Sequence, residues 1–169
     1  RDKLQFNISK YDQTVEKGLK QYANLNLARE RSKVIKWKAI EELDQTLLKF
    51  EANLNIKFKN RSLLIAALTH KSANQEINNE KLEFLGDRVI GLVLSKKIFD
   101  LYPNVSEGVL DKRFASLVNK KTCSDIARSM GIQNCIITGN KKINIIKVNE
   151  KMLSDCCEAV IGAIYIDRG

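Results

Sequence analysis

Three carboxylates are crowded into one short stretch of the sequence, residues 80–90. Glu80, Glu83 and Asp87 follow one another at intervals of three and four residues, so a helix through this stretch places them on one face. Leucine and valine residues fall mostly on the other side and turn that side towards a core. Neighbouring like charges on a helix repel each other by roughly a few tenths of a kcal/mol per pair. The stripe therefore indicates either a well-solvated surface or a site for a cation.

A second acidic pair lies far along the chain, in the apolar stretch 152–165. Asp155 and Glu158 are three residues apart and so also share one side of a helix. If the two half-buried helices pack against each other, these carboxylates can meet those of the first stretch. Four hard oxygen donors without a histidine suit Mg²⁺, with Mn²⁺ able to substitute, better than Zn²⁺.

The composition predicts that helices position these acids. The chain has 169 residues, 44% of them hydrophobic and 29% charged, which is enough for one globular domain with its own core. Proline and glycine interrupt helices, and the chain has only one proline and eight glycines. Few stretches alternate between polar and apolar residues, so we expect little strand and an all-α fold.

The charge balance favours an anionic partner. The net charge is +9 and the sequence pI is about 9.4. A basic surface beside a cluster of acids can hold phosphates while the acids hold a metal ion. The alternative is a basic soluble protein without a polyanionic target.

The cysteines and the single histidine argue against a zinc site. Cys123, Cys135, Cys156 and Cys157 form no C-x-x-C pair, and His70 is the only histidine. We expect free, mostly buried thiols in a reducing intracellular compartment, cytoplasm or nucleus. No apolar run reaches membrane-spanning length and no signal peptide is visible, so we expect no membrane partner. The sequence begins with Arg and not Met, which leaves targeting open.

Four sequence motifs resemble, in order, those of the ribonuclease III family. Residues 80–87 resemble its signature, and Asp155 with residues 158–165 resembles its second motif. Residues 69–72 and 107–110 resemble two further landmarks. The resemblance runs from about residue 50 to residue 169. It implies the all-α fold of the ribonuclease III endonuclease domain over residues 50–169, with residues 1–49 as an additional N-terminal helical extension.

The resemblance also implies roles for individual residues. Glu83, Asp87, Asp155 and Glu158 match the catalytic carboxylates of the family, and Glu80 matches a neighbouring, supporting acid. Glu83, Asp155 and Glu158 are then expected as direct metal ligands, and Asp87 as a group that orients water or a second ion.

The activity implied is metal-dependent hydrolysis of double-stranded RNA, which leaves staggered ends with short 3′ overhangs. Cutting both strands calls for two sites, which a homodimer supplies. Phe84 matches a dimer-interface position, and ordinary core packing is its alternative. Lys141, Lys142 and Lys147 are candidate phosphate contacts in a basic, irregular segment, and their alternative is charge that serves solubility alone.

Two other functional classes remain open at this point. A catalytically inactive ribonuclease III-like subunit of a ribosomal or RNA-processing complex predicts the loss of at least one carboxylate, and none is lost here. The other class is a helical interaction domain that binds no RNA, in which the acids simply form a solvated helix face. The family domain usually continues into another helix after the second motif, and no double-stranded-RNA-binding domain is recognised. We therefore expect either a truncated chain or N-terminal helices in the place of the missing one.

Local signals predict where the helices begin and end. Residues 1–27 are weakly patterned, whereas residues 28–52 carry apolar side chains at helical spacing: Val34, Trp37, Ile40, Leu43, Leu47 and Phe50. Trp37 is expected as a packing anchor rather than a base-stacking platform. The basic residues of this helix are interpreted as a solvated face, with RNA contact as the alternative.

Later helices are predicted from capping residues. Asn60 and Ser106 are predicted as N-caps, and Thr122 with Asp125 resembles a capping box for a helix that ends at Gly131. The signature helix is expected to reach about residue 101, and the last helix about residue 167. His70 is expected to be a structural residue bonded to nearby backbone.

Overall fold

The computed structural model describes residues 2–139 and 148–169, with their side chains except those of residues 2–16, 18, 19 and 36. Within these residues the chain forms helices and no strand, and Thr69 and Ile137 make one isolated parallel bridge. The expected all-α fold is confirmed. The helices are α1 (Asp2–Leu54), α2 (Arg61–Leu68), α3 (Glu80–Leu101), α4 (Glu107–Leu117), α5 (Lys120–Met130) and α6 (Glu150–Arg168), with a 3₁₀ turn at Ile132–Asn134.

The chain divides into two units, Arg1–Gln45 and Thr46–Gly169. The described part of the first unit is helical and belongs to α1. The helix predicted over residues 28–52 is the later part of a longer one, since α1 already begins at Asp2. The stretch contains no proline and one interior glycine, so almost nothing in it interrupts the helical hydrogen bonds.

Three residues of the apolar pattern noted in residues 28–52 are exposed in the first unit. Val34 is 54%, Trp37 74% and Ile40 62% exposed. The described residues of this unit include no second element against which an apolar face can pack. The prediction that Trp37 is a packing anchor was therefore wrong for this unit. Further along α1, Leu47 and Phe50 continue the same apolar pattern and are buried in the second unit.

The second unit is built around α6, which packs against α2, α3 and α5. Its core consists of large apolar side chains, each of which contributes roughly 1.5–3 kcal/mol when fully buried. The largest fully buried ones come from several elements: Leu47, Phe50, Leu64, Leu68, Ile132, Leu153 and Val160. The face of α6 towards this core is almost wholly apolar, so the helix is held firmly in place.

Side-chain caps confirm some of the predicted helix starts and correct one. Asn60 Oδ1 accepts the Ser62 N–H at 3.1 Å and so begins α2, as predicted. Ser106 is the N-cap residue of α4, although its side chain makes no capping hydrogen bond.

The start of α5 differs from the prediction. Its cap is Asn119, whose Oδ1 accepts the Thr122 N–H at 2.9 Å, whereas Thr122 and Asp125 lie inside the helix. An asparagine three residues earlier offers the same acceptor oxygen and takes the capping position. The helix ends at Gly131, which adopts the left-handed conformation with φ of 81°.

The four cysteines are free and buried, as expected. Burial is the main cause that raises the pKa of both Cys156 and Cys157 to about 12, so these thiols are unreactive near neutral pH. Among the described helices, none is long and apolar enough to cross a membrane.

Candidate functional site

Two glycines allow α3 and α6 to cross with their backbones in contact. A Cβ atom added to Gly86 in α3 would lie 1.8 Å from the backbone oxygen of Glu158. One added to Gly162 in α6 would lie 2.3 Å from the backbone oxygen of Leu82. No other residue type fits at either position without a shift of the backbone. The crossing therefore brings the two acidic stretches as close as two helices can come.

The crossing borders a cavity of about 520 Å³ whose lining includes all five predicted acids. They are Glu80, Glu83 and Asp87 from α3, and Asp155 and Glu158 from α6. The side chains of Glu83, Asp155 and Glu158 are half-buried, whereas those of Glu80 and Asp87 are exposed. The two helices thus pack side by side with their acids facing one space, as predicted. The catalytic and metal-binding roles of these acids stay predictions.

Burial and mutual repulsion raise the pKa of two of these carboxyl groups. For Glu83 the main cause is burial, followed by the charge of Asp155. For Glu158 burial is again the main cause, and the charges of Asp87 and Glu83 add to it. A hydrogen bond from Ser154 Oγ to Glu158 Oε1, 3.2 Å long, opposes this shift. The ionised cluster is therefore costly, and a cation placed among these oxygens lowers that cost.

Three of the acids already hold a basic partner. Lys151 Nζ donates to Asp155 Oδ2 at 2.6 Å, and this hydrogen bond is the main cause that raises the pKa of Lys151. The other pairs are Lys71 with Glu80 at 2.9 Å and Arg88 with Asp87. Among the described side chains, no group of three or more His, Cys, Asp and Glu encloses a metal position. A shared cation thus requires carboxylates to turn away from their basic partners.

His70 lines the same cavity but is held by local hydrogen bonds. Its Nδ1 accepts the Ser72 N–H at 3.2 Å and lies 2.9 Å from Ser72 Oγ. Ser72 Oγ in turn accepts the Gly139 N–H at 3.2 Å. Because Nδ1 is an acceptor, the neutral ring carries its proton on Nε2. These contacts agree with the structural role expected for His70.

Phe84 is 64% exposed, so it does not pack in the core of its own unit. The guanidinium of Arg88 lies 4.6 Å from the centroid of its ring. Ordinary core packing is thereby excluded for Phe84, and its place in a dimer interface stays a prediction. Lys141, Lys142 and Lys147 lie outside the described residues.

The sequence interpretation missed the basic members of the cavity wall, Lys71, Arg88 and Lys151. Lys151 precedes Asp155 by four residues, a spacing at which helical side chains meet, so this pair was readable from the sequence. Lys71 lies nine residues before its partner Glu80 and outside any helix, so only the folded loop brings them together.

Comparison with known proteins gives the family to which the chain is similar. A family model described as Ribonuclease-III-like matches residues 60–169. The chain is 51% identical over 122 residues to Ribonuclease 3 of Pelagibacter ubique, a match that covers 72% of this chain and 55% of the relative. It is 43% identical over 129 residues to Ribonuclease 3 of Rhodopseudomonas palustris, covering 73% of this chain and 47% of that protein. The chain therefore spans about half the length of these curated relatives.

Solved structures give the same result. The nuclease domain of ribonuclease III from Campylobacter jejuni is similar with a TM-score of 0.68 and 43% identity, over 72% of this chain and 85% of that chain. Dicer from Pichia stipitis is similar with a TM-score of 0.51 and 27% identity, over 66% of this chain and 47% of that chain. With a family model over most of its length and relatives of this identity, the chain belongs to the ribonuclease III family.

Proposed function

We propose that this chain contains the nuclease domain of an endoribonuclease that hydrolyses phosphodiester bonds in double-stranded RNA and leaves staggered ends with short 3′ overhangs. One observation carries the proposal: two sets of carboxylates, from α3 and α6, line a single cavity. Relatives named Ribonuclease 3 support the reaction class, an endoribonuclease acting on RNA.

The proposed cofactor is Mg²⁺, with Mn²⁺ able to substitute. Ribonuclease III proteins generally depend on a divalent metal ion, and the oxygen donors of this cavity suit a hard cation. The raised pKa values of Glu83 and Glu158 support this choice, since a cation relieves the repulsion between them. Glu83, Asp155 and Glu158 are the proposed ligands. A bound ion supplies an activated water and neutralises charge on the scissile phosphate.

The remaining residues of the cavity have proposed roles that follow from their contacts. Asp87 lies at the exposed rim and orients the attacking water. Glu80, paired with Lys71, supports the position of that lysine. Lys71, Arg88 and Lys151 place positive charge where a phosphate enters, which suits a duplex read through its backbone and 2′-hydroxyl groups. Lys141, Lys142 and Lys147 are proposed as further phosphate contacts.

A homodimer completes the proposal. A duplex has two strands to cut, and a two-fold axis supplies one site for each strand. Phe84, exposed beside the cavity, is proposed to lie in the interface. The similar nuclease domain from Campylobacter jejuni is described as having a region involved in dimer formation, which supports this arrangement.

The test is Glu158→Gln, which keeps the shape of the side chain and removes its charge. We expect cleavage of a long RNA duplex in Mg²⁺ to fall by at least about 100-fold, because loss of a metal ligand removes several kcal/mol of transition-state stabilisation. Binding of the duplex, measured by gel shift at one stated salt concentration, should change little, because cations carry it. Glu150→Gln, an exposed acid on the same helix outside the cavity, is the matched control and should cleave normally.

Two outcomes contradict the proposal. If Glu158→Gln cleaves as fast as the parent at saturating Mg²⁺, Glu158 is not a catalytic ligand. If the parent chain binds duplex RNA without cleaving it in Mg²⁺ or Mn²⁺, the alternative of an inactive ribonuclease III-like subunit is correct.

A further inference from the structure

The first unit carries a concentrated positive charge. Residues 29–38 of α1, here called the basic segment, contain five basic residues and one acidic residue, a net charge of +4 in a chain of +9. Arg29, Arg31, Lys33 and Lys38 are exposed, and Lys36 adds the fifth charge in the sequence. The single acid, Glu30, pairs with Lys33 at 2.8 Å. Both side chains of that pair are more than half exposed, so the pair is weak and yields readily to a stronger anion.

The only tryptophan of the chain lies inside this segment. Trp37 is 74% exposed and is flanked in sequence by Lys36 and Lys38. An indole left in water forgoes the large gain that its burial brings, so its exposure calls for an explanation. Proteins that bind single-stranded nucleic acid combine these two features, cations that hold phosphates and an aromatic ring on which a base stacks.

We propose that the basic segment binds single-stranded RNA, with phosphates on its basic side chains and a base stacked on Trp37. The inference rests on the proposed function only in its choice of RNA as the polyanion. It reverses the expectation drawn from the sequence, in which Trp37 was a packing anchor and the charges a solvated face. Duplex RNA alone does not use Trp37 in this way, because its bases are stacked on one another.

A membrane surface is the alternative partner for a basic helix that carries tryptophan, and the geometry of the basic segment disfavours it. At about 100° per residue, the side chains of Val34 and Trp37 lie about 60° apart around the helix axis, with Glu30 between them, whereas the side chain of Ile35 lies about 160° from that of Trp37. Arg31 and Lys38 project between those of Val34 and Ile35. The segment therefore lacks the continuous apolar face that a membrane-surface helix needs.

Fluorescence of Trp37 tests the stacking directly, because no other tryptophan contributes to the signal. The whole chain is titrated in EDTA with a 12-nucleotide RNA that has no self-complementarity. We expect saturable quenching that weakens as salt is added. Trp37→Ala should lower the affinity for labelled RNA, measured by anisotropy, by roughly 5- to 150-fold. Trp37→Phe should retain much of it.

Tyr22→Ala is the matched aromatic control. Tyr22 is 67% exposed on the same helix, but residues 21–28 contain no charged side chain. The Tyr22→Ala variant should therefore bind RNA as tightly as the parent. Circular dichroism of each variant checks that α1 stays helical, which we expect because the substituted side chains are exposed.

A charge series tests the phosphate contacts. Each phosphate contact on single-stranded nucleic acid contributes about 0.7 to the slope of log affinity against log salt, so removal of three cations should lower that slope by about 2. A control that removes the same charge from the second unit should leave the slope unchanged. The test variant is Arg31→Gln with Lys33→Gln and Lys38→Gln, and the control is Lys96→Gln with Lys97→Gln and Lys121→Gln.

Three results overturn the inference: no quenching of Trp37 by RNA, quenching by phosphatidylserine vesicles but not by RNA, or equal loss of RNA affinity in the two charge variants. A duplex-cleavage assay in Mg²⁺ separates this inference from the proposed function. If the duplex is cleaved but RNA does not quench the fluorescence of Trp37, the inference fails and the proposed function stands. If RNA quenches Trp37 and no duplex is cleaved, the inference stands and the proposed function fails.

Discussion

Gly86→Ala is the sharpest test of how α3 and α6 are arranged. The added methyl carbon would lie 1.8 Å from the backbone oxygen of Glu158, 2.6 Å from its carbonyl carbon and 2.9 Å from the nitrogen of Gly162. Ordinary contact begins at 3.4 Å, a difference of 1.6 Å from the closest of these approaches. The neighbouring atoms are backbone and cannot rotate aside, so the two helices have to separate.

The size of the effect follows from two opposed contributions. Overpacking a well-packed interior costs about 1–3 kcal/mol and occasionally more, whereas replacing glycine by alanine in a helix gains at most about 1 kcal/mol. Because backbone blocks the new methyl group, we expect the higher end of the cost and a net loss of about 2 kcal/mol in the free energy of unfolding. Separation of the helices also moves Glu83 away from Glu158. The rate of cleavage should therefore fall by more than the loss of folded protein alone explains.

Urea unfolding and duplex cleavage measure the two effects on the same preparation. Gly91→Ala is the matched control, since Gly91 lies in the same helix and an added Cβ would meet only Phe114 Cζ, at 3.8 Å. That variant should be more stable than the parent by about 0.5–1 kcal/mol. If Gly86→Ala is as stable and as active as the parent, α3 and α6 do not cross backbone to backbone and their acids do not share one cavity.

Two further predictions concern pH and assembly. Glu83 and Glu158 have raised pKa values in the folded state, so the folded chain holds more protons than the unfolded one above the ordinary pKa of 4.5. The contribution of these two groups to stability therefore falls as the pH rises from about 4.5 through the raised pKa. In EDTA, Glu158→Gln should therefore gain more stability over the parent at pH 7 than at pH 4, and an equal gain in urea unfolding at both pH values contradicts this. Phe84→Ala should dissociate the proposed dimer, which sedimentation measures. The free energy of unfolding of the protomer should change by less than about 0.5 kcal/mol, since the ring is exposed. A Phe84→Ala variant that dimerises like the parent contradicts this prediction.

Much of the site was predictable because its parts obey local rules. The bounds of α3 follow from its apolar periodicity and from the proline that comes two residues after its end, and the structure places them at Glu80 and Leu101. Helical spacing alone puts Glu83 and Asp87 on one side of that helix. That this side faces Glu158 was a hypothesis about packing, and the close approach at Gly86 gives its physical basis.

Other features were not predictable from local rules. The pairing of Lys71 with Glu80 depends on the path of an irregular loop, which no periodicity describes. The exposure of Trp37 depends on which elements surround it, whereas apolar spacing along a helix shows only which residues share a face. A pattern therefore predicts a packing surface correctly only when the partner surface belongs to the same unit, as it does for Phe50.

The position of the acids on α6 explains how a folded chain tolerates them. Burial disfavours the charged form of Glu158, a cost that has to be offset by packing elsewhere. α6 offers that packing along its other side, where the side chains of Leu153, Val160 and Ala163 are fully buried. The same helix is thus anchored on one side by apolar contacts and charged on the other. A mutation in its apolar side should then weaken the site by loosening the helix, without any change to the carboxylates themselves.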